Sequence, residues 1–398
     1  MRKKEDAVAM KSVELFSGCG GLALGLAKSG FSHLSMVEWD ADACATLTHN
    51  KQRKIQHVKS WPFQQGDVRA IDWTAIADDV DLVAGGPPCQ PFSIGGKGAG
   101  NADERDMWPE AVRAVRELQP KAFLFENVRG LLRPAFADYL AWIQACLARP
   151  DMKRRANESH EDHTARLSRS STAVAYDVQV LAVNAADYGA PQKRHRVIIA
   201  GIRSDLDINL ILPTATHSYK RLLWDQWVSG EYWKRHDMKA PRSGPDDARA
   251  ARCVEKLRHS LLPPEGKAWV TVRDAIQGLG EPGANPAILN HAFQAGARVY
   301  PGHTGSPLDE PAKALKAGDH GVPGGENMMV KGDGSVRYFT IREAARLQGL
   351  PDEYEFPRSW TESMRQLGNA VPVQLSHAMG GAVRFALATQ TRAKRRAA

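Results

Sequence analysis

Residues Ser12–Ala27 constrain the fold more than any other stretch of the chain. The apolar run SVELF breaks into a glycine-rich turn, Ser17-Gly18-Cys19-Gly20-Gly21, and then into a helical stretch, LALGLA, with Gly30 as its C-cap. Strand, tight turn and helix in direct succession are the opening of a βα unit. A glycine turn at that junction lets a ligand approach the backbone and meet the helix N-terminus. The rhythm continues downstream. His33–Glu38 (HLSMVE), Asp81–Ala84 (DLVA) and Ala122–Phe125 (AFLF) are short buried-strand patterns. Between the last two, Met107, Trp108, Ala111, Val112, Val115 and Leu118 recur at helical spacing. The expected fold is α/β, a parallel sheet with helices on both faces. The turn is out of register with GxGxxG, which disfavours a nicotinamide dinucleotide site.

The chain has 398 residues, enough for two to three domains. The α/β pattern extends through Tyr176–Val183, which alternates with period two, and the apolar Arg196–Gly201, so a first domain is expected over 1–203. Within it, residues 150–172 are polar and charge-dense and read as an exposed loop or helical excursion. His160 and His163 lie there without ligand-like spacing, so no metal is expected. Residues 204–339 are rich in Pro and Gly and lack βα rhythm, which marks an irregular second domain. Helical pattern returns at Thr340–Gln348 and again from Val371, so 340–398 is expected to return to the first domain. Five scattered cysteines without a CxxC pair argue against a disulfide framework or zinc knuckle and for free thiols in a reducing cytoplasm. No run of about 18 apolar residues and no apolar leader segment is present, so neither a membrane span nor secretion is expected. Lys and Arg number 53 against 45 Asp and Glu, and the net charge of +8 leans toward a polyanionic partner.

The segment Gly85-Gly86-Pro87-Pro88-Cys89-Gln90-Pro91-Phe92-Ser93 carries the chemistry. It follows the DLVA strand and therefore sits at a strand's carboxyl end, where open α/β sheets bind ligands. A cysteine between Pro88 and Gln90 at that position is ill suited to core packing, and Cys89 reads as a reactive thiol. Glu126 follows AFLF and lands on the same sheet edge. Gln192-Lys193-Arg194-His195-Arg196 precedes another strand with alternating basic residues. Glu38 ends the second strand about 20 residues after the glycine turn, where an acidic side chain can take ribose hydroxyls. Trp39 beside it could stack on a base, and Asp67 follows another short segment.

In this order, FSGCGG, VEWD, GDV, GGPPCQPFS, FENV, QKRHR, REAARLQG and QLGNAVPV make the chain resemble the DNA cytosine-5 methyltransferase family, over nearly its whole length outside 204–338. The resemblance implies a Rossmann-like sheet that binds S-adenosyl-L-methionine and releases S-adenosyl-L-homocysteine, with no metal, and a smaller target-recognition domain at 204–339. It implies methylation of cytosine C5 within a short sequence of double-stranded DNA, with the target base flipped out of the duplex. Cys89 would add to C6, Glu126 would assist at N3, Arg196 would contact the base or the thiolate, and Arg194 would support the site or a phosphate. Phe16 and Trp39 would flank the adenine, Glu38 bind the ribose, and Asp67 with Val68 take the adenine edge. Gly18, Cys19, Gly20, Gly21, Pro88, Asn369 and Ala370 would hold the rest of the cofactor.

For DNA, Gln90 and Ser93 lie beside the nucleophile. Lys97 and Arg105 lie in the glycine-rich Ile94–Trp108, whose composition suits a mobile loop closing over DNA. Residues His217–Arg242 interleave Tyr219, Trp224, Trp227, Tyr232 and Trp233 with six basic and three acidic side chains. Lys220, Arg221, Lys234 and Arg235 are the expected contacts there, although aromatics also build small cores; Gly321–Lys331 is a second candidate. A monomer is expected, with a cognate restriction endonuclease as a separate partner. Two rival readings are an RNA-methylating enzyme of the same family, which would have a shorter insert between QKRHR and REAARLQG, and a DNA-binding regulator without catalysis.

Overall fold

The computed structural model describes residues 9–76, 79–88, 106–301, 304–318 and 327–397, with side chains to residue 389. The chain divides into two compact units. The first comprises Met1–Val183, His195–Pro213 and Glu353–Ala398, and the second Asn184–Arg194 and Thr214–Asp352.

The first unit is built on a seven-stranded sheet. In chain order its strands are β1 (Met10–Leu15), β2 (Phe31–Glu38), β3 (Phe63–Gln65), β4 (Leu82–Gly85), β5 (Ala122–Val128) and β6 (Tyr176–Asn184). A two-residue strand β7 (Gln192–Lys193) precedes β8 (His195–Arg203). The spatial order is β3-β2-β1-β4-β5-β8-β6, with β3 through β5 parallel and β8 antiparallel to β5. The order reverses direction between β1 and β4, and α/β sheets open a ligand crevice outside the carboxyl ends of such neighbours. The mixed α/β sheet agrees with the sequence pattern, with one adjustment. The third buried run does not end at Phe125: β5 continues to Val128, so Glu126 lies within the strand and its register is fixed by pairing with β8.

Helices cover the sheet: α1 (Gly21–Lys28), α2 (Ala41–Gln52), α3 (Trp108–Leu118), α4 (Ala137–Ala148) and α5 (His160–Arg169). On one face Val13, Leu15, Val83, Phe123, Phe125, Val197 and Ile199 pack with Trp108, Ala111, Val115, Tyr139 and Trp142 of α3 and α4. The excursion at 150–172 is helical, and it is docked rather than fully exposed. His163 of α5 is buried, its Nδ1 accepts from Trp142 Nε1 at 3.1 Å, and its Nε2 donates to the Met152 carbonyl at 2.8 Å.

On the other face α1 packs against the terminal helix, α12 (Val373–Ala397). The two helices meet at glycines. A Cβ on Gly25 would overlap Ser376 Oγ and lie 2.7 Å from His377 N, and one on Gly380 would lie 2.7 Å from Leu26 Cδ2. Gly25→Ala is therefore expected to lower Tm by several degrees, about 1–3 kcal/mol, although alanine is the better helix former. Thermal melts of the two proteins check it.

The second unit holds β9 (His217–Ser218), α6 (Tyr219–Trp227), α7 (Glu231–Arg235), α8 (Ala248–Arg258), β10 (Lys267–Ala268) and α9 (Val272–Ile276). It continues with β11 (Ser306–Pro307), β12 (Ala312–Lys313), β13 (Met328–Val330), β14 (Val336–Tyr338) and α10 (Ile341–Leu347); α11 (Trp360–Asn369) and α12 belong to the first unit. The stretch that lacks βα rhythm is thus more ordered than its composition suggests. Ser218, Asp247 and Thr271 cap three of its helices, Thr271 in a capping box with Asp274. Among the described residues no helix is long and apolar enough to cross a membrane.

Candidate active site

The first unit brings four strand ends together in the order β2-β1-β4-β5. At the end of β1 the chain turns sharply, with Phe16, Gly18 and Gly20 at φ of 58°, 53° and 83°. A non-glycine residue at positive φ is uncommon, and Phe16 sits in a turn held from several sides. Ser17 N donates to Val37 O at 3.1 Å and Gly20 N to Ser17 O at 2.9 Å. A Cβ on Gly20 would lie 2.6 Å from the Trp61 ring, and one on Gly21 would overlap Val371 O, so protein walls enforce both glycines. Gly18 instead faces open space. Beneath the turn, burial lowers His33 to about 4, so the ring is neutral. Its Nε2 lies 3.1 Å from the Ala23 carbonyl, which can only accept, so Nε2 carries the proton and Nδ1 accepts from Ser12 Oγ at 3.0 Å.

Glu38 closes the turn from the β2 side. Its carboxylate accepts from Gly18 N at 2.6 Å through Oε2 and from Trp39 N and Asp40 N at 3.0 and 2.8 Å through Oε1. Burial pushes its carboxyl upward, opposed by those N–H donors. Oε2 accepts one bond and so retains a lone pair for a hydroxyl donor. The Trp39 ring beside it is 71% exposed, although tryptophan ordinarily buries most of its surface. Asp67 follows β3, but Arg69 grips it, with Nε at 2.9 Å and Nη2 at 2.6 Å from Oδ2. Acceptance from a ligand amine by Asp67 thus requires Arg69 to release it. Val68 is buried and its carbonyl accepts from Arg113.

Cys19 has its thiol turned inward, donating to Gln366 O at 3.7 Å, and burial pushes it up to about 12. Its carbonyl accepts from Tyr354 Oη at 2.8 Å. Only its backbone is placed to line the turn. Asn369 is exposed at the end of α11, and Ala370 packs near Gly21.

At the ends of β4 and β5 the geometry is set by close backbone approach. A Cβ on Gly85 would lie 2.6 Å from Leu15 O. Asn127 Nδ2 donates to Pro87 O at 3.2 Å and thereby ties the Gly85–Pro88 segment to β5. Pro88 itself is exposed. Cys89, Gln90, Ser93, Lys97 and Arg105 lie outside the described residues. Glu126 is 9% exposed, with Arg196 Nε 2.5 Å from its Oε1. The antiparallel register puts Arg196 opposite Val128, diagonal to Glu126 on the neighbouring strand. The contact is an ion pair rather than an aligned hydrogen bond: neither Glu126 Oε1 nor Arg196 Nε has a well-aligned partner among the described residues. Arg196 Nη1 also donates to His195 O at 2.8 Å. A buried carboxyl group with an oxygen free of any aligned partner has room for a proton shared with a substrate ring nitrogen.

The remaining candidates lie in the second unit. Arg194 is 1% exposed and donates through Nη1 to Leu315 O at 3.0 Å. Arg221 pairs with Asp225 at 2.9 Å, and Lys234 with Glu231 at 2.7 Å. Arg235 grips Asp274 and lies over the Tyr232 ring. Lys220 is exposed. The interleaved aromatics mostly turn inward. Tyr232 and Trp233 are core, with Tyr219, Trp224 and Trp227 packed against buried clusters. Sequence reasoning missed Asn127 and Trp61. Asn127 had a signal, its place beside Glu126 in FENV; Trp61 had none. Among the described residues no His, Cys, Asp and Glu cluster could hold a metal.

The model of the C-5 cytosine-specific DNA methylases matches residues 10–148 and 155–384. The chain is 32% identical over 383 residues to the type II methyltransferase M.PspPI of Psychrobacter, covering 95% of this chain and 80% of that protein. It is 30% identical over 380 residues to M.NgoMIV of Neisseria gonorrhoeae, another type II methyltransferase, covering 93% and 95%. The fold is similar to that of the Spodoptera frugiperda DNMT2 crystal structure, with TM-score 0.55 and 15% identity over 94% of this chain and 99% of that one.

Proposed function

The chain belongs to the C-5 cytosine-specific DNA methylase family, and from that premise we propose that it methylates C5 of one cytosine in a short sequence of double-stranded DNA, using Cys89 as nucleophile and S-adenosylmethionine as donor. The observation that carries the reading is the Glu126–Arg196 pair on adjacent strands, beside the Asn127-tethered Gly85–Pro88 segment that runs on into Cys89.

The cytosine C5 carbon is a poor nucleophile, and covalent catalysis answers that difficulty. In this reading Cys89, as thiolate, forms a bond to C6 while Glu126 delivers a proton to N3, which leaves the electron pair available at C5. Arg196 holds Glu126 in place and supplies positive charge beside it. S-adenosylmethionine supplies the electrophilic methyl group that C5 takes up, leaving S-adenosylhomocysteine. Water then takes the C5 proton, the C5 electron pair forms the C5–C6 double bond as the Cys89 thiolate leaves C6, and N3 returns its proton to Glu126. The glycine turn fits that cofactor: Gly18 faces open space, Glu38 keeps a lone pair, and the exposed Trp39 ring offers a stacking face. Phe16, Cys19, Gly20, Gly21, Asn369 and Ala370 complete the proposed cradle through backbone and packing. The relatives carry type II methyltransferase names, which supports a restriction–modification setting with a separate endonuclease.

Bisulfite sequencing of duplex DNA incubated with the protein and S-adenosylmethionine tests the reading. Protected cytosines confined to one short motif are expected; no protection in any duplex would overturn it. Trp39→Ala is expected to raise KM for S-adenosylmethionine about tenfold through lost stacking, with little change in Tm because the ring is already exposed. Initial rates across cofactor concentrations, with a thermal melt, check both halves.

A further inference from the structure

Helix α8 in the second unit is divided sharply by chemistry. Ala250, Val254 and Leu257 are buried against Leu223, with Tyr219, Trp224, Trp227 and Cys253 packed around them. The opposite face carries Arg249, Arg252 and Lys256, three and four residues apart and all exposed. That spacing lines them up as one stripe, and like charges so placed repel one another. His259, at the next position of the stripe, is exposed as well. The neighbouring acid, Glu255, is turned to Arg258 at 3.4 Å and His259 at 3.6 Å. Among the described residues no carboxylate pairs with Arg249, Arg252 or Lys256. Among the described residues the one side-chain bond of the three is from Arg252 Nε to the Ala248 carbonyl in its own helix. Four other arginines of the unit are each paired with a carboxylate: Arg221 with Asp225, Arg235 with Asp274, Arg273 with Asp309 and Arg337 with Glu343.

We propose that the Arg249–Arg252–Lys256 face of α8 is a docking surface for the phosphate backbone of duplex DNA, contributing affinity without reading sequence. This inference rests on the reading of the protein as a DNA-modifying enzyme. A row of uncompensated cations, held in repulsion on a helix that a dedicated aromatic core fixes in place, is complementary to a polyanion of regular spacing. From residue 249 to 256 the helix rises about 10 Å, the axial length of roughly three phosphates along one strand. Contacts of this kind release condensed counterions, so they show in the salt dependence of binding.

The test is fluorescence anisotropy of a labelled mixed-sequence duplex with the full-length protein, between about 50 and 200 mM salt. The variants are each single Gln substitution and the triple Arg249→Gln/Arg252→Gln/Lys256→Gln. Glutamine keeps helix propensity, and circular dichroism of each variant checks that the fold is intact. Each single change is expected to flatten the slope of log K against log salt by about 0.9, and the triple by about 2–3. The triple is also expected to bind at least about tenfold more weakly at the lower salt. If the wild-type protein binds duplex with a steep slope and the triple variant keeps it, the proposal is overturned while the enzymatic reading stands; the stripe then belongs to an acidic protein surface or to solvent. If the wild-type protein does not bind duplex at all, both fall together.

Discussion

Replacing Cys89 with alanine is expected to abolish methyl transfer, lowering the rate by at least about 10⁴-fold, a loss of about 5.5 kcal/mol of transition-state stabilisation. In the proposed mechanism the variant has no nucleophile to bond to C6, which leaves C5 without an electron pair to offer. The buried thiols are poor replacements. Cys19, Cys44 and Cys146 are buried, and desolvation pushes each up to about 12, far from the thiolate state that does chemistry. Cys253 is half-buried on α8 in the second unit. The measurement is incorporation of labelled methyl into duplex DNA, beside bisulfite mapping and calorimetric titration with S-adenosylmethionine. Residual transfer within about tenfold of the wild-type rate would remove Cys89 from the mechanism. Cofactor binding by the variant should persist, because Cys89 is not among the groups proposed to hold the cofactor.

What could be read in advance was what depends on neighbours in sequence. The glycine turn, Glu38 and the strand that ends in Gly85 declare themselves because strand, turn and helix succeed one another within a few residues. Partnerships across the fold did not declare themselves. Glu126 reads as a residue after a strand, yet it is part of β5, because β8 extends the pairing from about 70 positions away. Arg221 and Arg235 both read as DNA contacts. The partner of Arg221 is four residues on, at helical spacing, but that of Arg235 is 39 residues away, and nothing local announces Asp274. His163 sits in a charge-dense run and is nevertheless buried, because Trp142 and the Met152 carbonyl satisfy both ring nitrogens. The aromatics of 217–242 show the same limit. Composition alone does not say whether a tryptophan faces a ligand or a core, and here most of them hold α6, α7 and α8 together.

The Glu126–Arg196 pair yields the second large effect. Glu126→Gln is expected to lower kcat by about 10²–10⁴-fold, the range for a positioned general acid, and to leave KM for S-adenosylmethionine nearly unchanged. Glutamine can still hydrogen-bond to N3 but cannot transfer a proton to it. The deficit should therefore shrink as pH falls, because solvent then protonates N3 in place of the missing acid; a purely structural defect would show no such recovery. Arg196→Ala leaves the Glu126 carboxyl group buried without its partner and removes the group that holds it in place. The two side chains touch, so their effects should not add. If Glu126 and Arg196 act as one unit, the double variant will be no more than about tenfold slower than the slower single variant. A double-mutant cycle on kcat, run at two pH values, measures both features. Losses that multiply in full, with no recovery at low pH, would mean that Arg196 acts on the thiolate or the base independently of Glu126.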